Sequence, residues 1–317
     1  MSTEGTEPFE EAVRAAVEAA GEAVVGLGRG WGSGSGVVVA GDLVVTNAHN
    51  VAGTIGDRVA NRGAGEGGGE GGGRGAVDVV LAGGEVVPAA VAGVDVDGEL
   101  AVLRLEAPGP TPVPWDPDDV SPRLGQAVVA LANPGGRGLR AGVGFVAGVE
   151  GAFRGPRGRR IAGTVEHTAP LPRGSSGGPL LDARGRLVGI NTNRLGEGFY
   201  AALPAGPSLA RRVEALGEGR APRTRRLGVA VVPARAARAL RRSVGLPDHD
   251  GVLVRAVEEG GPAARAGLRQ GDLLTAAGDR ALAGVDDLHA VLDGAGDEGL
   301  AITVLRGTEE LVVEVAW

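Results

Sequence analysis

A serine set among glycines and a histidine just past an apolar run are the residues of this chain whose types and spacing most clearly suggest chemistry. Residues 174–179 read GSSGGP, and residues 44–49 read VVTNAH. Ser176 is the candidate nucleophile and His49 the candidate general base. Acyl transfer also needs preorganised backbone N–H donors aimed at the developing oxyanion. Gly174 lets the chain turn its amides inward, so the Gly174 and Ser176 amides are candidates for that hole. Gly177 and Gly178 leave room for a substrate backbone to approach. The motif also fits G-x-S-x-G, but a nucleophile elbow requires a helix after the serine and partners in the order serine, acid, histidine. Gly-Gly-Pro and a hairpin follow here, and the better histidine lies upstream.

These groups need a frame. Short Val-rich runs at 37–39, 43–45, 77–81, 86–94, 100–105, 128–131 and 143–149 are bounded by Gly, Asp, Asn and Pro. Their even spacing predicts an antiparallel sandwich or barrel. A further hairpin is expected from 180–182 and 187–191. Apolar residues at Phe9, Val13, Ala16, Val17, Ala20 and Val24 follow the helical period and predict an amphipathic helix over 8–25. Ser208 reads as the N-cap of a helix LARRVEAL and Gly217 as its C-cap. Residues 217–225 read as a linker. Beyond them, β runs at 229–232, 252–257 and 302–305 mix with helical patterns at 234–244, 262–266 and 286–292, a small second domain. The run RGAGEGGGEGGGRG at 62–75 is a low-complexity insertion that reads as a tolerated surface loop. RGPRGRR at 154–160 reads as a solvated hairpin tip marked by Gly155-Pro156.

Composition narrows the function classes. The chain has 317 residues, 43% apolar but only 3% aromatic, so Val, Ala and Leu must do the packing. A net charge of −7 argues against a general nucleic-acid binder. With no cysteine, disulfides, zinc–thiolate sites and Cys nucleophiles are excluded. The four histidines, His49, His167, His249 and His289, form no metal-ligand pair at helical spacing, so no metal and no cofactor are expected. No apolar run of about 18 residues predicts membrane insertion. The acidic N-terminus does not read as a signal peptide, so a cytoplasmic location is expected.

In these residues the chain resembles the HtrA/Deg family of trypsin-like serine proteases followed by a PDZ domain. The resemblance runs from about Gly26 to the C-terminus. It rests on GSGSGVVV (32–39), VVTNAH (44–49), ELAVLRL (99–105), ANPGG (132–136), GSSGGPLLD (174–182), GRLVGINT (185–192) and FYAALP (199–204). In the second part it rests on RRLGVAV (225–231), GVLVRAVEEGGPAARAGLRQGDLL (251–274) and DDLHAVL (286–292). It implies a mainly β fold, a chymotrypsin-like double β-barrel followed by a small PDZ domain with two helices. The implied division is an N-terminal helix (1–25), a protease domain (26–206), a helix and linker (207–225) and the PDZ domain (226–317).

By the same resemblance, His49 is the base, Ser176 the nucleophile, and the Gly174 and Ser176 amides the oxyanion hole. Asn191, Thr192 and Asn193 would line the S1 side of the cleft, and His167 would support its wall. The loop RLGV would offer the amides of Leu227, Gly228 and Val229 to a peptide carboxylate, with Leu227 and Val229 lining the last side-chain pocket. The partners implied are unfolded or C-terminally exposed polypeptides. The family often forms trimers through its N-terminal segment, and Phe9 with its helix either serves that role or packs on its own barrel. Family members are also commonly exported.

One departure bears on chemistry. The family usually has aspartate just before Leu-Ala-Val-Leu as the third triad member, and this chain has Glu99. Glutamate is expected to fill the role with its backbone or side chain withdrawn, and shortening it to aspartate to keep or raise turnover. The rival acid is Asp97. Two function classes follow: an active endopeptidase with a preference for small or medium aliphatic P1 residues, or a catalytically impaired peptide-binding, chaperone-like relative.

Overall fold

From Val24 to Pro204 the chain forms two closed antiparallel barrels of six strands each. The computed structural model describes residues 7–28, 34–52, 76–155, 159–220, 225–232, 234–296 and 298–317. The glycine-rich insertion at 62–75, the hairpin tip at 156–158 and linker residues 221–224 lie outside them.

The first barrel consists of β1 (Val24–Leu27), β2 (Ser35–Ala40), β3 (Leu43–Thr46), β4 (Ala76–Val80), β5 (Val86–Asp95) and β6 (Leu100–Leu105), closed in the order β1-β2-β3-β6-β5-β4. The second consists of β7 (Ala127–Ala132), β8 (Arg140–Arg154), β9 (Arg160–His167), β10 (Pro179–Leu181), β11 (Leu187–Gly196) and β12 (Phe199–Pro204), closed as β10-β11-β12-β9-β8-β7. This is the chymotrypsin-like double barrel, and closure removes the exposed edges that open sheets must protect. Small β-branched and aliphatic side chains pack the first barrel on both faces of its wall: Val37, Val44, Val45, Val79, Leu100, Val102 and Leu103 are all fully buried.

The N-terminal helix is shorter than its periodicity predicts. α1 (Glu7–Ala20) gives way to a 3-10 turn at Gly21–Ala23, and Val24 opens β1 instead of continuing the helix. Val24 is paired with Val37 and Leu27 with Val79, so this segment is needed to close the barrel, and those ladder bonds outweigh one more helical turn. Ala16 and Ala20 bury the apolar face of α1, while Phe9 is 45% exposed.

After β12, α2 (Pro207–Gly217) takes Gly206 as its N-cap and Pro207 in its first turn, not Ser208. Proline has no N–H to lose there and its φ is preset for a helix. Leu209, Val213 and Leu216 seat α2 on the first-barrel core. The close approach needs Gly93 on β5, where any Cβ would fall inside van der Waals distance of the Leu216 backbone. Covered by α2 outside and by the barrel core inside, β6 is buried at every residue but Arg104.

The second compact unit, Arg223–Trp317, is built on a separate sheet. Its strands are β13 (Val229–Val232), β14 (Val252–Val257), β15 (Leu273–Ala277), β16 (Arg280–Ala281), β17 (Leu300–Arg306) and β18 (Glu309–Val315), with β13 at one end of the order β13-β14-β15-β17-β18. Its helices are α3 (Ala234–Ser243), α4 (Pro262–Arg265) and α5 (Val285–Gly294). The core joins Leu227, Val252, Leu274, Leu288, Leu292 and Ile302. Among the described residues no helix is long and apolar enough to cross a membrane.

Substituting Gly93→Ala is expected to cost about 1–3 kcal/mol by forcing α2 off β5. Urea unfolding reads this directly, and unchanged stability would show that α2 is not seated as tightly as Gly93 implies.

Candidate active site

The candidate base stands where β3 ends. A 3-10 turn at Ala48–Val51 follows Thr46 and Asn47 and turns His49 to the barrel mouth. The turn between β5 and β6 brings Glu99 to the same place. Glu99 has φ +57, a left-handed conformation that costs a non-glycine residue roughly 1–2 kcal/mol. Its backbone carbonyl accepts from Asn47 Nδ2 at 3.0 Å.

The Glu99 side chain is 2% exposed, and Oε1 accepts from the His49 backbone N–H at 3.0 Å and from His49 Nδ1 at 2.9 Å. A carboxylate only accepts, so the proton lies on Nδ1 and Nε2 is left free to take one. The neighbouring acids face elsewhere. Asp97 lies 3.6 Å from Arg159, and Asp95 is bonded to Arg212.

The candidate nucleophile comes from the second barrel, on the loop between β9 and β10. The Ser175 carbonyl accepts from Gly178 N at 3.0 Å. In a trans peptide C=O and N–H point in opposite directions, so the Ser176 N–H faces away from that bond, as an oxyanion donor must. Gly174 has φ +85, and its carbonyl accepts from Ser35 Oγ at 2.8 Å. The Ser176 carbonyl accepts from Ser35 N at 2.9 Å and from Asn50 Nδ2 at 2.8 Å. Ser35, Thr46 and Asn50 were not picked out from the sequence; short polar residues in the GSGSG and TNAHN stretches were the only signal available.

Gly177 and Gly178 do not open space for substrate. A Cβ on Gly177 (φ +91) would strike Ser35 O and Thr46 Oγ1, and one on Gly178 would strike Leu131 O. Both glycines are buried and let the nucleophile loop approach its own barrels. Ser176 Oγ donates to Thr192 O at 3.0 Å, and among the described residues no hydrogen bond joins it to His49.

The three expected cleft residues divide. Asn191 is 1% exposed; its Nδ2 donates to Pro179 O and its carbonyl accepts from Gly177 N at 2.7 Å, so it braces the loop and its side chain does not face a substrate. Thr192 and Asn193 border a hollow of about 210 Å³ together with His49, Phe153 and Arg154. Phe153 and Arg154 end β8 and Gly155 follows them, so the basic stretch 154–160, read as a solvated hairpin tip, brings Arg154 and Gly155 to the hollow.

His167, at the end of β9, is fully buried and stacked on Tyr200, ring centroids 5.7 Å apart. No hydrogen bond of ordinary geometry reaches either ring nitrogen. Desolvation lowers its pKa to about 4, and the Asn191 side chain offsets only part of that. The folded state therefore favours neutral imidazole. This stability is fully present above the unfolded value near 6.5 and is lost as pH falls from there through about 4, where the unfolded chain holds more protons. The contribution is on the order of 3 kcal/mol. Between pH 6.5 and 5 the unfolding midpoint is expected to drop more steeply in the native sequence than in His167→Leu; equal slopes would remove His167 as the cause.

In the second unit Leu227 is 3% exposed, with its carbonyl accepting from Ala263 N at 2.9 Å; the Gly228 carbonyl accepts from Glu258 N at 2.8 Å. Both carbonyls are thus committed to the domain, and trans geometry turns the N–H groups of Gly228 and Val229 the other way. Gly228 has φ +76, which favours glycine there. Val229 begins β13, whose outer edge pairs with no strand among the described residues.

Comparison with known proteins agrees with this architecture. The family model of the trypsin-like peptidase domain matches residues 34–190, and that of the PDZ domain matches residues 253–306. The "Probable periplasmic serine endoprotease DegP-like" of Brucella suis is 33% identical over 300 residues, covering 89% of this chain and 52% of the relative. "Serine protease HTRA2, mitochondrial" of Bos taurus is 30% identical over 303 residues, covering 89% and 59%. The chain thus spans only a little over half the length of these relatives. The solved structure "HtrA-type protease AlgW with decapeptide" shares the fold with a TM-score of 0.67 at 23% identity, covering 96% of this chain and 97% of that one. A serine endoprotease from Yersinia pestis does so with a TM-score of 0.64 at 22% identity and 96% coverage of each chain. A double barrel carrying these motifs, followed by a PDZ domain, makes this chain a member of the HtrA/Deg family of trypsin-like serine proteases.

Proposed function

We propose that the chain is a serine endopeptidase that cuts exposed or unfolded polypeptide segments, with Ser176 as nucleophile, His49 as general base and Glu99 as the triad acid. The observation that carries this reading is the paired hydrogen bond from His49 N and Nδ1 to Glu99 Oε1. It holds the tautomer that leaves Nε2 basic and offsets the imidazolium charge formed when Ser176 gives up its proton. Substrate binding has to turn Ser176 Oγ from Thr192 O toward Nε2. Attack on the scissile carbonyl then places the oxyanion at the amides of Ser176 and Gly174. Imidazolium protonates the leaving amine, and water releases the acyl group by the same steps in reverse.

The resting bond of Ser176 to Thr192 O favours a second reading, a peptide-binding relative with little turnover. Incubating unfolded casein with the native chain and with Ser176→Ala separates the two. Cleavage only by the native chain, after small or medium aliphatic residues, supports the first; no cleavage and no fluorophosphonate labelling of Ser176 supports the second.

The acid has its own expected outcomes. Glu99→Gln should lower kcat by about 10⁴-fold, the measured cost of neutralising the acid in the serine protease triad. Both bonds to Oε1 are of ordinary length with glutamate in place. Shortening the side chain withdraws the carboxylate by roughly 1.5 Å, so Glu99→Asp should cost on the order of 100-fold. This reverses the expectation drawn from the sequence. Asp97→Asn should leave kcat nearly unchanged, because Asp97 faces Arg159. If Asp97→Asn inactivates and Glu99→Gln does not, the acid is Asp97.

The PDZ domain is proposed to bind hydrophobic C-termini by adding them as a strand along β13, with the carboxylate at the Gly228 and Val229 amides. Val229 and Val231 pack on the same core as Leu288 and Leu292 of α5, which supports an apolar floor. Calorimetry with a free and an amidated peptide tests this; amidation should remove most of the affinity, and equal binding would exclude the carboxylate nest.

A further inference from the structure

We infer that Arg212 on α2 is the positioning residue that holds the triad acid of this chain in register with His49. The inference rests on the catalytic reading above. Arg212 Nε and Nη2 donate to Asp95 Oδ2 at 3.1 and 2.8 Å, and Nη2 also donates to the Gly98 carbonyl at 2.8 Å. Asp95 Oδ1 in turn accepts from Gly98 N at 2.8 Å. One guanidinium thus ties the end of β5 to the residue directly before Glu99. Gly98 has to be glycine for this, since a Cβ would collide with Arg212 Nη2 and Asp95 Oδ2.

The bonds clamp Glu99 from the N-terminal side, through the Gly98–Glu99 peptide. Asn47 Nδ2 clamps it from the other, through the Glu99 carbonyl. Between the clamps Glu99 is kept at φ +57, a conformation the residue does not prefer. A glutamate has one more rotatable bond than an aspartate, so its carboxylate is placed only as well as its Cα is fixed. The planar fork of arginine suits two acceptors held in one plane, and lysine cannot reproduce it. Asp95 is only 11% exposed and Arg212 28%, so solvent screens the pair incompletely. The helix that carries Arg212 is anchored independently by Leu209, Val213 and Leu216. Among the described residues, the hydrogen bonds of Arg212 go to Asp95 and Gly98, so it reaches the chemistry through the Gly98–Glu99 peptide.

The test uses the full chain in two arms. In a Ser176→Ala background, proton NMR follows the hydrogen-bonded Nδ1–H of His49, one of four histidines, identified by its disappearance in Glu99→Gln. That signal should be lost or broadened by exchange in Arg212→Ala and partly kept in Arg212→Lys. With Ser176 present, Arg212→Ala should lower kcat by about tenfold or more while KM stays within about twofold, and Arg212→Lys should recover part of the loss. If Arg212→Ala does not fold, Asp95→Asn weakens the same clamp and is read the same way. An unchanged Nδ1–H signal, or an unchanged kcat, overturns the inference. If the native chain shows no Ser176-dependent turnover, the endopeptidase reading fails and the NMR arm alone decides the role of Arg212.

Discussion

His49 and Ser176, the proposed base and nucleophile, stand on different barrels, so the candidate site depends on the hydrogen bonds that sew the two together at Ser35. This residue is fully buried at the start of β2. Its N–H goes to the Ser176 carbonyl, its hydroxyl donates to the Gly174 carbonyl and accepts from Asn133 N, and its own carbonyl accepts from Thr46 Oγ1. Each bond contributes only about 1 kcal/mol net, but a buried group left without its partner costs roughly 1–3 kcal/mol. The seam is therefore hard to open at one bond without stranding the next. It fixes the Gly174–Ser175 and Ser176–Gly177 peptide planes around the candidate nucleophile, while Gly178 N holds the Ser175 carbonyl, and such preorganisation is what an oxyanion hole needs.

The same logic sorts the acids. Asp95, Asp97 and Glu99 lie within five residues, and charge alone does not distinguish them. Their partners do: Arg212 takes Asp95, Arg159 takes Asp97, and Glu99, the most buried of the three, is left with two N–H donors of His49. A buried carboxylate is tolerated only where such donors meet it. The arginines thus do more than decorate the surface, because with both aspartates engaged, Glu99 is the acid bonded to His49.

In the second unit the organising constraint is an open edge. A strand edge left unpaired is a hazard unless something is meant to occupy it. β13 is short, and the loop before it has two carbonyls bonded inward, which turns the following amides outward. Edge and loop together leave backbone donors facing away from the domain, which is the basis of the proposed capture of a chain terminus.

Much of the architecture was legible in the chain because it follows from local rules. Short valine-rich runs marked most barrel strands, and turn residues bounded them. The GSSGGP and TNAH stretches marked Ser176 and His49 as candidates through residue type, their neighbours and their order along the chain. What was not legible depended on contacts distant in sequence. β1 was hidden inside a helical period because only pairing with Val37 and Val79 makes it a strand. The roles of Gly177 and Gly178 were misread because a glycine shows that something comes close, not what comes close. Asn191 looked like a cleft residue but is turned inward by its bond to Pro179. Arg212 lies 113 residues beyond Glu99 in a helix whose own pattern says only that one face is apolar. Sequence determined which groups could do the chemistry; only the tertiary fold, by bringing their partners across the seam and down from α2, decided how they are aimed, because hydrogen bonds and ion pairs act over a few ångströms regardless of distance along the chain.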